Sequence, residues 1–314
     1  LLLLAISSLV FFIRPAYQPP PLITPDDIPA QHRLEPVIID GRILLLGGAA
    51  SPQTVRRGEP FDLTLYWQAT EPIPYNASLF VHLLGRDLQE VGQYDTYPGW
   101  GNYATSLWRP GPVIQDDYRF LVPWAVDAPT LLLVDVGLFD YESRESYPRQ
   151  TVSGGETPLG IGTLRVLPGE APTFDIATPD QFRFDSRIHL EGFDAPETVL
   201  HPGDALPLTL YWRGMVPIAQ DYQVFVHLMD ENWQQAAGYD AAPRGGWWPT
   251  SAWEPNQLFE DQYELALPED LSPGRYTVIA GLYQLDTLER LPVDGPADRL
   301  RDRAALLTTI EVRP

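Results

Sequence analysis

The sequence predicts a mostly β protein built from two tandem antiparallel β-sandwiches, preceded by a short apolar helix and a proline-rich stem. Three observations support this architecture. The chain repeats itself at a long offset, its strand-like runs alternate apolar with polar residues, and Pro and Gly separate those runs. The repeat is too long for a solenoid unit and large enough to bury its own core, so each copy is expected to be a domain.

The first element is an apolar run, predicted to form a helix over residues 1–14 that Arg14-Pro15 brings to an end. As a helix it would reach roughly 20 Å, less than the ~30 Å hydrocarbon core of a bilayer. The sequence opens on Leu rather than Met, so we expect a processed or truncated chain. The side chains predicted to be buried by self-association are Leu1, Leu2, Leu3, Leu4, Ile6, Leu9, Val10, Phe11, Phe12 and Ile13.

The second element is the proline-rich stem, over residues 15–33. It contains the run Pro19-Pro20-Pro21, which lacks backbone donors and favours an extended polyproline conformation. We therefore expect a spacer between the apolar segment and the first domain.

The repeat itself gives the two domains. Leu63-Thr64-Leu65-Tyr66-Trp67 recurs 145 residues on as Leu208-Thr209-Leu210-Tyr211-Trp212, and Phe80-Val81-His82-Leu83 recurs as Phe225-Val226-His227-Leu228. Apolar residues alternate with polar or aromatic ones in these runs, as half-buried strands require. The predicted boundaries are 34–167 for module 1, 168–179 for a linker rich in turn formers, and 180–314 for module 2.

One turn in module 2 resembles a known family. Leu271-Ser272-Pro273-Gly274-Arg275-Tyr276-Thr277-Val278 is similar to the tyrosine corner of immunoglobulin-like and fibronectin type III-like domains. The resemblance implies two Ig-like β-sandwiches and assigns the corner hydroxyl to Tyr276. Module 1 has Pro129-Thr130-Leu131-Leu132 at the equivalent place, so its corner is expected to close by packing. The core disulfide of that family is absent, because the chain contains no cysteine.

The layout resembles two kinds of surface protein. An apolar N-terminal helix followed by β-rich heads is similar to type IV pilin-like subunits, although their glutamate at the fifth position is Ala5 here. The modules, over about residues 40–314, also resemble β-sandwich ectodomains that follow the membrane helices of some bacterial glycosyltransferases. The first resemblance implies filament assembly, and the second implies an accessory role beside a membrane enzyme.

The amino-acid composition limits the classes of partner that are expected. With 42 acidic and 21 basic residues the formal net charge is −21, so a phosphate backbone would be repelled and nucleic acid is not an expected partner. No dinucleotide, phosphate-loop or nucleophile-elbow motif occurs, and we expect neither enzymatic activity nor a cofactor. The acidic pairs Asp116-Asp117 and Glu260-Asp261 are interpreted as solvated faces, with interstrand calcium as the alternative.

His82 and His227 are the only histidines at equivalent positions of the two modules. Alternation places each on the outer face of its strand beside a phenylalanine. Their spacing to other histidines fits no zinc motif. We therefore expect structural hydrogen bonds and no metal site.

The most suggestive constellation for a ligand combines aromatic side chains with aspartates. A sugar is held by an aromatic platform and by carboxylates that accept from its hydroxyls. The alternative is that each aromatic closes the end of a sandwich while each Asp caps a turn. The candidate carbohydrate-binding residues are Tyr94, Asp95, Trp108, Tyr239, Asp240, Trp247, Trp248 and Trp253.

Together these observations predict a non-enzymatic structural subunit at a bacterial cell surface or outside the cell. Its N-terminal segment is expected to lie in the membrane first and then to assemble a pilus-like homopolymer. The alternative is a carbohydrate-binding accessory ectodomain of a membrane-anchored glycosyltransferase or other surface enzyme.

Overall fold

A computed structural model describes residues 18–154, 160–196 and 198–314. Over these ranges the protein is mostly β, as predicted, and its helices are single-turn 3-10 segments of three or four residues. None of the helices in these ranges has the length and apolarity needed to cross a bilayer. The helix predicted for residues 1–14, with its ten assembly side chains, lies outside the described residues.

The chain divides into two compact units between Gly169 and Glu170. The strands of module 1 are β1 Leu22–Ile23, β2 Arg33–Ile39, β3 Ile43–Ser51, β4 Thr54–Arg56, β5 Pro60–Ala69, β6 Ser78–Leu84, β7 Glu90–Thr96, β8 Val113–Leu121, β9 Thr130–Phe139, β10 Arg149–Thr151 and β11 Thr163–Leu167. The strands of module 2 are β12 Thr178–Phe184, β13 Ile188–Asp194, β14 Val199–Leu200, β15 Ala205–Gly214, β16 Tyr222–Met229, β17 Gln235–Ala241, β18 Leu258–Ala266, β19 Gly274–Gln284, β20 Val293–Asp294, β21 Leu300–Arg301 and β22 Ala304–Val312. The 3-10 segments are Pro25–Asp27, Ala30–His32, Arg86–Leu88, Pro98–Gly101, Thr105–Leu107, Pro243–Gly246, Thr250–Ala252 and Ala297–Arg299.

Each module is a pair of sheets. In module 1 the strand orders are β1-β8-β5-β3-β2-β10 and β4-β11-β9-β6-β7. In module 2 they are β18-β15-β13-β12-β20 and β14-β22-β19-β16-β17, with β21 added to β22. The short strands β4 and β14 run parallel to β11 and β22. The strands β3, β5 and β8 correspond to A, B and E of the immunoglobulin fold, and β6, β9 and β11 to C, F and G, so the order supports the predicted Ig-like sandwich in both modules.

The predicted alternation fills the core between the sheets. Leu63, Leu65 and Trp67 of β5 are fully buried and belong to the same apolar cluster as the aliphatic residues of β6. Trp67 pairs with Leu45 on β3, and Trp212 pairs with the equivalent Leu190 on β13. The equivalence of the two tryptophans, and with it the strand register, is thus confirmed.

The tyrosine corner is present in module 2. The Tyr276 hydroxyl donates a hydrogen bond of 2.7 Å to the carbonyl oxygen of Ser272, four residues upstream. This is the contact that the resemblance assigned to Tyr276.

The predicted stem at residues 15–33 is wrong in its described part. Leu22 pairs with Ile114 as β1 joins the edge of β8, and the carbonyl of Pro21 accepts a hydrogen bond of 3.0 Å from the backbone N–H of Gln115. Ile28 is buried against Tyr66 and Val113. The prolines cannot donate, but the apolar Leu-Ile pair that follows them can complete a strand edge, so the segment packs on module 1.

Candidate carbohydrate-binding surface

Three of the predicted sugar platforms lie inside the modules. Trp108 is buried with its ring 6.4 Å from that of Trp67, and its indole N–H donates to the Tyr103 carbonyl at 2.9 Å. Trp253 is buried in module 2 and donates to the carbonyl of Trp248, which is itself fully buried, at 3.0 Å. Their assignment to sugar binding is wrong, because a buried indole has no face free for a ligand. Both 3-10 turns direct the tryptophan that follows them inward, where it closes one end of the sandwich.

Tyr94 and Asp95 are separated by the alternation of β7. The Tyr94 ring stacks on Phe120 at 4.7 Å and its hydroxyl donates to the Leu121 carbonyl, and burial raises the pKa of this phenol. Asp95 is exposed, 3.7 Å from the guanidinium of Arg144. Adjacent strand residues face opposite sides, so these two do not form one site.

The corresponding residues of module 2 are also dispersed. Tyr239 is exposed and meets the edge of the Tyr263 ring at 5.7 Å. Asp240 is engaged by His227, whereas Trp247 is half-buried after the Pro243–Gly246 segment. Tyr239 and Asp240 therefore contact different partners, as Tyr94 and Asp95 do in module 1.

The histidines occupy the predicted outer face beside a phenylalanine. The His82 ring stacks on Phe80 at 4.5 Å, and His227 lies 5.0 Å from Phe225. His227 Nε2 hydrogen-bonds Asp240 at 2.8 Å, as expected for a structural role. The outer face differs from the expectation in that Phe80 and Phe225 are both buried, and in module 2 His227 is buried as well.

A different tryptophan, missed in the sequence, is exposed. Trp100 keeps 53% of its surface accessible and projects from the Pro98–Gly101 segment over the edge of β8. Its indole N–H donates to the Asp117 carbonyl at 3.1 Å, and its ring centroid lies 5.4 Å from Tyr118 and 5.8 Å from Phe120. The indole is therefore held by one hydrogen bond and by two neighbouring rings, while about half of its surface faces solvent.

A buried carboxylate holds the backbone of the segment that carries Trp100. Gly99, Trp100 and Gly101 all have left-handed φ values of 61°, 53° and 85°. The Asp116 carboxylate accepts from the Gly99 N–H at 3.0 and 3.1 Å and from the Tyr118 hydroxyl. Burial raises the pKa of Asp116 to about 6, while these hydrogen bonds act in the opposite direction.

Module 2 repeats this support. Asp261 is buried and accepts from the Arg244 backbone N–H at 2.9 Å and from the Tyr263 hydroxyl at 2.5 Å. The interpretation of the acidic pairs as solvated faces is therefore wrong for Asp116 and Asp261. The alternation of the strand points one acidic side chain of each pair into the module. There a backbone N–H of the loop and a tyrosine hydroxyl donate hydrogen bonds to it.

Trp100 borders a shallow groove of about 420 Å³, lined by Asp62, Thr64, Trp100, Asp117, Tyr118 and Arg119. The exposed Asp117 carboxylate accepts from Thr64 Oγ1 at 2.6 Å and from Gln115 Nε2 at 3.1 Å. A carboxylate has about four acceptor sites, so capacity for ligand hydroxyls remains. Asp62 lies 3.4 Å from the Arg119 guanidinium, which supplies donors beside it.

The groove belongs to module 1 alone, whereas its support is common to both modules. Asp116 and Tyr118 recur 145 residues on as Asp261 and Tyr263. Four of the six groove residues do not recur, since Asp62, Trp100, Asp117 and Arg119 are replaced by Pro207, Gly245, Gln262 and Glu264. The sequence feature that could have indicated this site was therefore the difference between the two modules at these four positions.

Within residues 18–154, 160–196 and 198–314, no three His, Asp or Glu side chains are grouped closely enough to hold a metal ion together.

No family model and no curated protein matches the sequence. The chain is similar to the native conformation of E. coli alpha-2-macroglobulin at 11% identity and a TM-score of 0.25, over 90% of this chain but 12% of that one. It is similar to the CARDB domain of a Pyrococcus furiosus protein solved with di-metal ions at 10% identity and a TM-score of 0.24, over 46% of this chain and 97% of that one.

Proposed function

We propose that this protein is a non-enzymatic, extracytoplasmic pair of Ig-like modules that binds carbohydrate through the Trp100 groove of module 1. The observation that carries the proposal is an exposed indole, fixed at one edge by Asp117, beside a strip of carboxylate, hydroxyl and guanidinium groups. An aromatic face and a few convergent polar groups are what a small polar ligand with an apolar face requires.

Charge favours an uncharged sugar. The net charge of −21 opposes polyanionic ligands, and the groove itself holds Asp62 and Asp117 against Arg119. Neutral sugar hydroxyls can donate to the carboxylates and accept from the guanidinium. The function therefore fits the accessory ectodomain predicted as the alternative for a surface glycosyltransferase.

The experiment removes the indole ring of Trp100 and measures sugar binding. Full-length chain would be titrated by calorimetry with cellohexaose, xylohexaose, mannohexaose, maltohexaose and chitohexaose as neutral probes. We expect at least one to bind, and Trp100→Ala to weaken that binding by about tenfold or more, because the stacked face is lost.

Trp124→Ala is the matched control. Trp124 is 73% exposed on the same module and does not line the groove, so its removal should leave the affinity unchanged. Equal binding by wild type and Trp100→Ala, or failure of every probe to bind the wild type, would refute carbohydrate recognition at this groove.

A filament is the second candidate, and it rests on the apolar run of residues 1–13. Large apolar side chains exposed to water are unfavourable, which supports burial of this run in a membrane or among copies of itself. Carbohydrate binding at module 1 is compatible with either environment.

A further inference from the structure

One sheet edge is covered by a strand in module 1 but not in module 2. In module 1, β1 pairs with the outer edge of β8, where Leu22 lies opposite Ile114 and Ile23 lies opposite Val113. The equivalent strand of module 2 is β18, which is the last strand of its sheet. Among the strands that the structure describes, only β15 pairs with β18. The outer edge of β18 therefore offers its backbone groups to a further strand.

The course of the chain explains this difference. The residues that lie 145 positions after Leu22 and Ile23 are Leu167 and Pro168. Leu167 is the last residue of β11 and pairs with Arg56 of β4 in module 1. The segment that would complete β18 by analogy is thus part of the preceding module.

The direction of the backbone groups on β18 follows from module 1. The Gln115 N–H donates to the Pro21 carbonyl at 3.0 Å, so it points away from β5 and towards β1. Glu260 occupies the same register on β15 as Gln115 does on β5. Because outward and inward groups alternate along an antiparallel strand, the N–H and C=O groups of Glu260 and Leu258 point outward.

The apolar side chains at this edge show the same difference between the modules. Val113 is fully buried in a cluster that includes Tyr66 and the half-buried Ile23 of β1. Its equivalent in module 2, Leu258, is only half-buried. An apolar residue placed on β18 as Ile23 is placed on β8 would remove more of Leu258 from water, which is favourable.

One carbonyl of the outer edge already accepts a hydrogen bond. The Arg244 guanidinium donates to the Glu260 carbonyl at 3.1 Å. A strand residue opposite Glu260 would accept from the Glu260 N–H, whereas its own N–H would compete with Arg244 for that carbonyl. Proline avoids the competition because it has no N–H, and Pro21 is the residue opposite Gln115 in module 1.

We propose that the outer edge of β18 binds an extended segment of another protein by strand addition, with a proline opposite Glu260 followed by two apolar residues. The segment runs antiparallel to β18, and its proline carbonyl accepts from the Glu260 N–H. The second apolar residue exchanges backbone hydrogen bonds with Leu258 and covers its side chain. The partner is a separate protein, because the matching segment of this chain is held on its own β8.

The test uses full-length chain and a synthetic peptide as the probe. The peptide has the sequence of residues 18–24, Gln-Pro-Pro-Pro-Leu-Ile-Thr, with blocked ends and a fluorophore, and its binding is measured by fluorescence anisotropy. We expect saturable binding that Glu260→Pro weakens by about tenfold or more. This variant loses the outward N–H but keeps the carbonyl that accepts from Arg244 and the hydrogen bonds to β15.

Gln262→Pro is the matched control. The Gln262 N–H also points outward from β18, but the equivalent residue of β8, Asp117, lies beyond the residues that pair with β1. Gln262→Pro should leave the peptide affinity unchanged, and circular dichroism melts verify that both variants fold. A peptide with Ile23→Pro tests the same hydrogen bonds on unaltered protein, and it should bind about tenfold or more weakly.

Three results would overturn the proposal: no saturable binding by wild type, equal affinity of wild type and Glu260→Pro, or equal affinity for the two peptides. Self-association of wild type that Glu260→Pro abolishes and Gln262→Pro retains would also overturn it, because a second copy of this chain would then occupy the edge.

Discussion

Asp116 shows how a single residue can serve the site without facing it. Its carboxylate is buried under the loop that carries Trp100, and it receives hydrogen bonds from Gly99 and Tyr118. Burial raises the pKa of Asp116 from 3.8 to about 6, so the folded protein holds this proton to a higher pH than the unfolded chain does. The contribution of Asp116 to stability must therefore decline as pH rises between about 4 and 6.

We predict that Asp116→Asn removes this pH dependence. Below pH 4 the carboxyl is protonated in both states, and above pH 6 it is ionised in both, so the change is confined to that window. The unfolding free energy of wild type minus that of the variant should fall by up to about 3 kcal/mol from pH 4 to pH 7. Denaturant unfolding at several pH values measures it, and parallel curves for the two proteins would contradict the burial argument.

At the residue scale the sequence predicted the core better than the site. Trp67, Trp212 and Tyr276 could be placed because alternation and a turn motif constrain buried positions. Trp108 and Trp253 were wrongly predicted to bind sugar, because the sequence around an aromatic residue that follows a turn does not show whether its side chain is buried or exposed. Trp100 was missed because its groove forms only where the Pro98–Gly101 segment packs on the edge of β8, and no local sequence pattern predicts that contact.

Among the elements, the Pro98–Gly101 segment controls the candidate site. Its consecutive left-handed residues are sterically costly for anything but glycine, and the hydrogen bonds to Asp116 offset that cost. Alternation predicts strands and their faces, but it gives no information on such a segment. The β framework was accordingly predictable, while the element that presents Trp100 was not.

We predict that Gly101→Ala lowers the unfolding free energy of module 1 and weakens its binding of sugar. Gly101 has a φ of 85° and open space at its Cβ position, so strain rather than collision should cost about 1–2 kcal/mol. The shifted loop should tilt Trp100 and weaken hexaose binding roughly fivefold or more.

Gly246→Ala is the matched control for the loop. Gly246 has a φ of 90° and the same open surroundings in module 2, where glycine replaces the tryptophan. It should cost module 2 a similar unfolding free energy without changing the affinity. Equal loss of affinity in both variants, measured by calorimetry, would show that the loop of module 1 has no special part in binding.

The whole molecule follows the repeat that its sequence displays. A 145-residue offset predicted two sandwiches, and the ten strands common to both modules have the same order, with β1 added in module 1 and β21 in module 2. The stem boundary was wrong because a proline-rich run predicts extension but not what the extended chain pairs with. Residues from Pro21 onward instead belong to module 1.

Deleting Leu1–Ile13 tests the role of the apolar run. Burial of its large side chains is worth on the order of 15 kcal/mol at roughly 1.5 kcal/mol each, which is enough to drive insertion or association. We predict that the deleted chain is soluble, folded and monomeric by light scattering, with the intact chain in the same buffer as the reference. Long polymers of the deleted chain would place the assembly contacts between sandwiches.

The pairing of β1 with β8 also sets the reach of the candidate site. β1 joins β8 at Ile114, and the Trp100 indole is bonded to the same strand at Asp117, three residues further along. Three strand residues cover ~10 Å, so the chain arrives at module 1 close beside the groove. A sugar held there would lie next to the point where the described chain enters module 1.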